Sequence, residues 1–157
     1  MANLEKLTAR QNRWLELLFC AALALLLSHE LDAIAQAEWR LLPGLNSLGD
    51  SLGYELFVLL HVPFIAFIIW LLMSPLPAIR WRAQQVLDGF MLVHVGLHWL
   101  LADHALNNFH SPLSQLLIFA AGLLAFVHLA LGSLLARRGK ARQGKARQGK
   151  ARQADDR

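Results

Sequence analysis

Four long apolar stretches dominate this chain and restrict what it can fold into. They cover residues 14–36, 54–73, 84–102 and 113–136. Each is roughly 19 to 24 residues long, and about 20 helical residues are needed to cross a hydrocarbon core about 30 Å thick. Because lipid offers the backbone no hydrogen-bond partners, and the sequence has no alternating short strands, each stretch must be an α-helix. The sequence therefore predicts an all-α fold, a four-helix transmembrane bundle.

The composition supports a membrane location. Apolar residues make up 56% of the 157 residues, and the mean hydropathy is +0.41, which exceeds what a soluble domain of this length normally carries. The single cysteine, Cys20, lies inside an apolar stretch and excludes an intramolecular disulfide. A polar lead precedes residue 14, and no small-residue cleavage pattern follows the first stretch. We therefore interpret that stretch as a retained span rather than a signal peptide.

Lysine and arginine residues alternate between the loops in a way that predicts orientation. Three precede residue 14, two lie between the second and third stretches, and nine follow residue 136, whereas the first and third loops hold Arg40 alone. Basic residues are retained on the cytoplasmic side of a membrane. The sequence thus predicts a multi-pass protein of the bacterial inner (cytoplasmic) membrane with both termini in the cytoplasm.

The segment after residue 136 is a basic tail in which Gly-Lys-Ala-Arg-Gln occurs three times between Gly139 and Gln153. It has no apolar face to bury, so it is predicted to be disordered. Two roles fit it: contact with anionic lipid headgroups, worth about 1 kcal/mol per basic residue, or a solvated tail that reinforces topology. Nucleic-acid binding is not expected, because no aromatic residues accompany the basic ones.

The predicted organisation is therefore a cytoplasmic segment at 1–13, a transmembrane domain at 14–136 and a disordered tail at 137–157. The lipid bilayer is the main expected partner. A homo-oligomer and a hetero-oligomer are both compatible with the sequence.

Titratable residues inside the predicted spans are the strongest functional signal. Charged residues at a helix centre cost roughly 2.5 to 3.5 kcal/mol on insertion, so they require a reason. With 1.5 Å of rise per residue, His29, His61, His94 and His98 all lie within roughly 6 to 12 Å of the periplasmic surface. His94 and His98 share one helical face, as do His29 and Asp32. Imidazoles and carboxylates bind Zn²⁺ or Fe²⁺, which predicts a metal site of His29, Asp32, His61, His94 and His98.

Other polar residues carry separate expectations. His128 is predicted to hydrogen-bond across helices without binding a ligand. On an unbroken helix, Glu30 and Glu38 point about 80 to 180° away from the His29 face, so at most one of them joins the cluster unless the helix breaks there. Arg40 is the alternative counter-ion for either carboxylate.

Five short motifs carry a family resemblance: HELDA at 29–33, EWRLLP at 38–43, GYE at 53–55, HVP at 61–63 and HVGLHW at 94–99. Between about residues 17 and 131 the chain resembles a family of small four-span bacterial membrane proteins of uncharacterised function. That resemblance implies a membrane location and four spans, and it brings no activity. A weaker similarity, through Ser28, Asp32 and the histidines, is to membrane-bound zinc hydrolases of the alkaline ceramidase type, which have more spans.

Two hypotheses of function fit these residues. In the first, the chain is a metal-dependent membrane enzyme, a hydrolase or oxidoreductase acting on a lipid-soluble substrate. Glu30 or Asp32 would be its catalytic base, beside a metal that lowers the pKa of bound water to about 7. In the second, the chain is a non-enzymatic subunit or scaffold whose His, Asp and Glu residues form a structural polar network. The sequence alone leaves both hypotheses open.

The predicted topology can be checked with reporter fusions. A cytoplasmic reporter fused after Ala136 should be active, because the charge bias of five segments agrees. A periplasmic reporter should be active only when it is inserted near Asn46 or Asn107. Activity of a periplasmic reporter placed at Arg80 would contradict this topology.

Overall fold

All regular structure in the described part of the chain is helical. The computed structural model describes the backbone of residues 2–155 and the side chains of residues 13–139 and 141. Its elements are α1 (Ala2–Ala35), a first 3₁₀ turn (Glu38–Arg40), a second 3₁₀ turn (Leu45–Ser47), α2 (Asp50–Leu72), α3 (Pro77–Leu100) and α4 (Pro112–Asp155). The predicted all-α class is confirmed.

Three of the four helices are long and apolar enough to cross a membrane. The spans concerned are Arg13–Ala35 in α1, Asp50–Leu72 in α2 and Pro112–Gly139 in α4. Helix α3 is also long, but Asp88, His94 and His98 make it less apolar. The composition of three helices is therefore that of a membrane protein, while the crossing by α3 stays a prediction.

The centre of the bundle lies between α1, α3 and α4. Helices α1 and α3 each pack along α4, whereas α2 makes sparser contacts with α3 and the two 3₁₀ turns. The buried core side chains are Phe19, Ala22, Leu26, Leu87, Met91, Ala121 and Ala125. The alanines allow the backbones of α1 and α4 to approach closely, which is how helices associate in lipid. Helix α2, in contrast, buries only Gly53 and Phe57.

The helix ends have local causes. Pro77 is the first residue of α3, a position where its missing N–H group would have no partner in any case. Ser111 precedes α4, and its Oγ accepts a hydrogen bond from the Ser114 N–H at 3.0 Å. Helix α1 ends differently, because Ala37 takes the left-handed conformation, with φ 58° and ψ 44°. The chain reverses there and leads into the first 3₁₀ turn.

Helical backbone extends beyond the apolar stretches at both chain ends. Helix α1 begins at Ala2, inside the predicted cytoplasmic segment, and helix α4 continues to Asp155 through the repeats for which the sequence predicts disorder. Alanine, lysine, arginine and glutamine are good helix formers, and a helix that already exists needs no new nucleus. The side chains beyond residue 141 lie outside the described residues, so lipid contact by this segment stays a prediction.

Gly122 provides a test of the packing between α3 and α4. A Cβ at Gly122 would lie 2.5 Å from Val95 Cγ2 and 3.5 Å from Val95 Cβ, and a β-branched side chain has little rotamer freedom to move away. Gly122→Ala should therefore lower the free energy of unfolding by about 1 to 3 kcal/mol. Unfolding in detergent measures this difference.

Gly96→Ala is the matched control for that experiment. Nothing lies within 4 Å of a Cβ built at Gly96, and the exchange there raises helix propensity by up to about 1 kcal/mol. The control should be as stable as the wild type or more stable. If Gly122→Ala has the same free energy of unfolding as Gly96→Ala, α3 and α4 are not packed as described.

Candidate metal centre

Four potential metal ligands converge at the end of the bundle that carries the two 3₁₀ turns. His29 belongs to α1, Glu38 to the first 3₁₀ turn, and His94 and His98 to α3. One ligand atom from each residue lies within 4.8 Å of those of the other three. We call His29, Glu38, His94 and His98 the His/Glu cluster.

The three imidazoles face one another through their Nε2 atoms. His94 Nε2 lies 2.8 Å from His29 Nε2 and 3.1 Å from His98 Nε2. A ring nitrogen carries either one proton or one in-plane lone pair. His94 therefore cannot make two well-directed hydrogen bonds through one atom, and one of the two contacts lacks a proper hydrogen bond. A metal ion would bind the lone pairs of all three nitrogens.

The spacing of the imidazoles is close to that of a tetrahedral metal site. Zn–N bonds of about 2.0 to 2.1 Å separate neighbouring ligand nitrogens by about 3.4 Å at tetrahedral angles. The two measured Nε2–Nε2 distances, 2.8 and 3.1 Å, are shorter than this by about 0.6 Å or less. Small movements of the rings would admit an ion.

Glu38 approaches the cluster as its only carboxylate. Its Oε2 lies 3.5 Å from His29 Nε2, and its Oε1 lies 3.8 Å from His98 Nε2 and 4.0 Å from His94 Nε2. The residue is 7% exposed. Burial alone raises the pKa of the Glu38 carboxyl, but the facing imidazoles outweigh burial and hold that pKa below its ordinary value. The ionised form, which is the form that binds metals, is thereby favoured.

A reversal of the chain brings Glu38 to the cluster. Helix α1 ends two residues before Ala37, and the first 3₁₀ turn folds back over the helix end. Trp39 holds this turn against α2, where Gly53 permits a close approach: a Cβ there would lie 2.9 Å from Trp39 Cδ1. Because Glu38 directly precedes the anchored indole, its side chain is held beside His29.

Phe109, in the connection between α3 and α4, covers the cluster on one side. It is 1% exposed, and its ring centroid lies 4.6 Å from that of His98 and 5.4 Å from that of His29. Asn107 orders this connection, since its Oδ1 accepts a hydrogen bond from the Phe109 N–H at 3.1 Å and its Nδ2 donates to the Ala102 carbonyl at 2.8 Å. An apolar cover of this kind limits the access of water to a metal site.

Asp32 and His61, which the sequence predicts as ligands, lie outside the His/Glu cluster. Asp32 Oδ1 accepts a hydrogen bond from Gln36 Nε2 at 3.1 Å, one turn further along α1. His61 lies on α2 and contacts Glu30 instead. Glu38 occupies the carboxylate position that was expected for Asp32, because helical spacing alone does not anticipate the reversal after α1.

Glu30 and His61 form a second polar pair. His61 Nδ1 lies 2.6 Å from the Phe57 carbonyl oxygen, which can only accept, so Nδ1 carries a proton. His61 Nε2 faces Glu30 Oε2 at 3.0 Å. A neutral ring nitrogen and an ionised carboxylate would both be acceptors. The pair therefore shares one additional proton, held either on Nε2 or on the carboxyl.

Two further expectations about polar residues have opposite outcomes. His128 is buried, and its Nδ1 donates to Asp88 Oδ2 at 2.6 Å, which confirms the predicted hydrogen bond across helices. Arg40 pairs with Asp50 through Nε and Nη2, at 2.9 and 2.7 Å. The alternative that Arg40 is the counter-ion of Glu30 or Glu38 therefore does not hold, because its partner is Asp50.

A cavity of about 500 Å³ adjoins both polar groups. Three members of the His/Glu cluster, Glu38, His94 and His98, reach its surface, and so do Glu30 and His61. The other lining residues are all leucine or phenylalanine, and no lysine or arginine from the described residues contributes to the lining. The arrangement joins a metal-ligand set, a proton-carrying pair and an apolar binding space.

The fold and the site are those of a helical protein with membrane-compatible spans and a partly buried His/Glu cluster. The chain belongs to a family of unknown function, DUF6713, whose model matches residues 15–135. The match includes all four residues of the cluster and ends before the Gly-Lys-Ala-Arg-Gln repeats. No curated protein and no solved structure matches the chain.

Proposed function

We propose that this chain is a metal-dependent membrane enzyme whose ion is held by His29, Glu38, His94 and His98. One observation carries the proposal: three of these four side chains reach the surface of the 500 Å³ cavity. An ion that only holds helices together needs no space beside it, whereas a catalytic ion keeps a position that a substrate can reach. Three imidazoles and one carboxylate suit Zn²⁺ or Fe²⁺.

Four protein ligands are compatible with access to the ion. Zinc expands from four to five ligands in reactions, and Fe²⁺ sites with imidazole and carboxylate ligands keep open positions. Glu38 lies further from the imidazoles, at 3.5 to 4.0 Å, than they lie from one another. The carboxylate is therefore the ligand with the most freedom to shift when a substrate binds.

The chemistry follows from two groups that share one cavity. A bound ion would supply Lewis-acid polarisation of a substrate oxygen. Glu30 and His61 supply or take up a proton, because their pair holds one proton and reaches the same cavity. Glu30 thus keeps the acid–base role proposed from the sequence. Asp32, which bonds to Gln36, is assigned no step.

We propose further that all four helices cross the bacterial inner membrane, with both termini cytoplasmic and the cluster near the periplasmic face. Helix α3 has 24 residues, which is enough to span. Its polar groups point inward: Asp88 is fully buried, and His94 and His98 belong to the cluster. Val86 and Val93, on its exposed side, are apolar. Between residues 86 and 98, α3 can therefore contact lipid without exposing a charged side chain to it.

Metal content of the purified protein tests the proposal. After loading with Zn²⁺ or Fe²⁺ and removal of the excess, the wild-type protein in detergent should hold one ion per chain. Loss of a residue that only hydrogen-bonds to a metal ligand typically lowers metal affinity by roughly 10- to 100-fold. Glu38→Ala and His94→Ala each remove a direct ligand, so each should lower the metal affinity by more than that. Elemental analysis measures the ion, and size exclusion with circular dichroism confirms the fold.

The control variants distinguish the His/Glu cluster from the ligands that helical spacing predicts. Asp32→Ala and His61→Ala should keep the ion, and His110→Ala removes an exposed imidazole elsewhere. Folded Glu38→Ala and His94→Ala proteins that bind the ion as tightly as the wild type would refute the site. A folded wild-type protein without affinity for either ion would favour the non-enzymatic scaffold, in which the histidines form a structural network.

A further inference from the structure

We infer that the cavity beside the His/Glu cluster binds a long-chain carboxylate, with its head at the cluster and its chain among the leucine and phenylalanine side chains. The inference rests on the proposed function, because the head is placed at the ion, and it adds the chemical class of the ligand. Size, charge and the position of the cavity opening each support it.

The shape and lining of the cavity suit one apolar chain. A volume of about 500 Å³ lies in the range that holds a drug-sized molecule. A second cavity of about 350 Å³ lies further along α2 and α3 and shares Phe64 and Phe90 with the first. The rings of Phe64 and Phe90 meet edge to face, with centroids 6.3 Å apart, and form the boundary. A chain longer than the first cavity therefore has space beyond these two rings, lined by apolar side chains and by Arg82.

The head group is assigned by charge. A divalent ion together with the Glu38 carboxylate leaves one positive charge. The Glu30 carboxyl is already paired with His61 Nε2, 3.0 Å away, so it does not balance that charge. A buried net charge is costly unless it is paired, so a head with a single negative charge fits.

Other common head groups fit less well. A phosphate monoester carries a charge of about −1.5 to −2, and no lysine or arginine from the described residues reaches the first cavity to neutralise the excess. Arg40 is held by Asp50. An ammonium head would add to the positive charge rather than balance it.

The half-exposed lining residues indicate from which side the ligand arrives. Leu60 and Phe64 on α2 are 56% and 47% exposed, and Leu97 on α3 is 47% exposed. The cavity thus opens to the outside between α2 and α3, and apolar side chains surround the opening. In a bilayer, such an opening faces hydrocarbon, so the ligand reaches the cavity from the lipid phase.

Photo-crosslinking in lipid nanodiscs tests the inference. The probe is hexadecanoic acid with a diazirine near the middle of its chain, applied to the full-length, Zn²⁺-loaded protein. The bound ion is measured on the same sample, and labelled peptides are identified by mass spectrometry. We expect labelling of α2 and α3 around Leu60 and Leu97. Unlabelled hexadecanoic acid should compete with the probe, whereas hexadecyl phosphate and hexadecylamine should not.

Two neighbouring leucines of α2 give a matched pair of variants. Leu60→Trp fills part of the cavity and should lower the competable labelling by about fivefold or more. A fivefold change in affinity corresponds to about 1 kcal/mol, the lower end of the usual cost of overpacking. Leu59 is 63% exposed and does not line the cavity, so Leu59→Trp should leave the labelling unchanged.

Each outcome decides between the alternatives. Equal competition by hexadecyl phosphate, or unchanged labelling in Leu60→Trp, would overturn the inference. A protein that holds its ion and shows no competable labelling would refute the inference and leave the proposed function standing. A folded protein that binds no ion would refute the proposed function, and the charge balance that assigns the carboxylate would fall with it.

Discussion

The buried carboxylate of Glu38 is the group on which the arrangement of the site depends. A buried charge destabilises a protein unless it is paired. The imidazoles of His29, His94 and His98 face this carboxylate at 3.5 to 4.0 Å, and its Oε2 has no hydrogen-bond partner among the described residues. These imidazoles come from α1 and α3, two helices that contact α4 far more than they contact each other. The cluster therefore connects two helices where direct packing is sparse. Its geometry relies on the reversal of the chain after α1, which Trp39 holds in place against α2.

Much of the fold is predictable from the sequence, because an apolar run of about 20 residues in lipid has only one regular structure that satisfies its backbone. The similar depth of His29, His94 and His98 along the bundle is predictable for a similar reason, since it depends on helical rise and on where neighbouring helices end. The basic repeats show the limit of such reasoning. Their lack of an apolar face predicts disorder, whereas the helix propensity of their residues, added to an existing helix, favours continuation to Asp155.

The rest of the site could not be predicted, because it depends on one turn and on one neighbour. Ala37 occupies the left-handed region, which residues other than glycine adopt uncommonly, and nothing in its sequence marks the reversal. Without that turn, Glu38 would lie opposite His29 on a continuous helix. A metal site that includes both His29 and His61 requires α1 and α2 to pack side by side at the level of these two residues. Helix α2 instead packs mainly on α3 and the 3₁₀ turns, and its His61 contacts α1 at Glu30 rather than at His29.

The central claim is that one ion is bound by three imidazoles and one carboxylate. X-ray absorption at the zinc K edge of the Zn²⁺-loaded protein measures this most directly. The account predicts a first shell of nitrogen and oxygen only, at about 2.0 to 2.1 Å, with the multiple scattering of three imidazoles, reduced to two in His94→Ala. A sulfur shell near about 2.3 Å, which would indicate binding by Cys20, or a shell of oxygens without imidazole scattering, would contradict it.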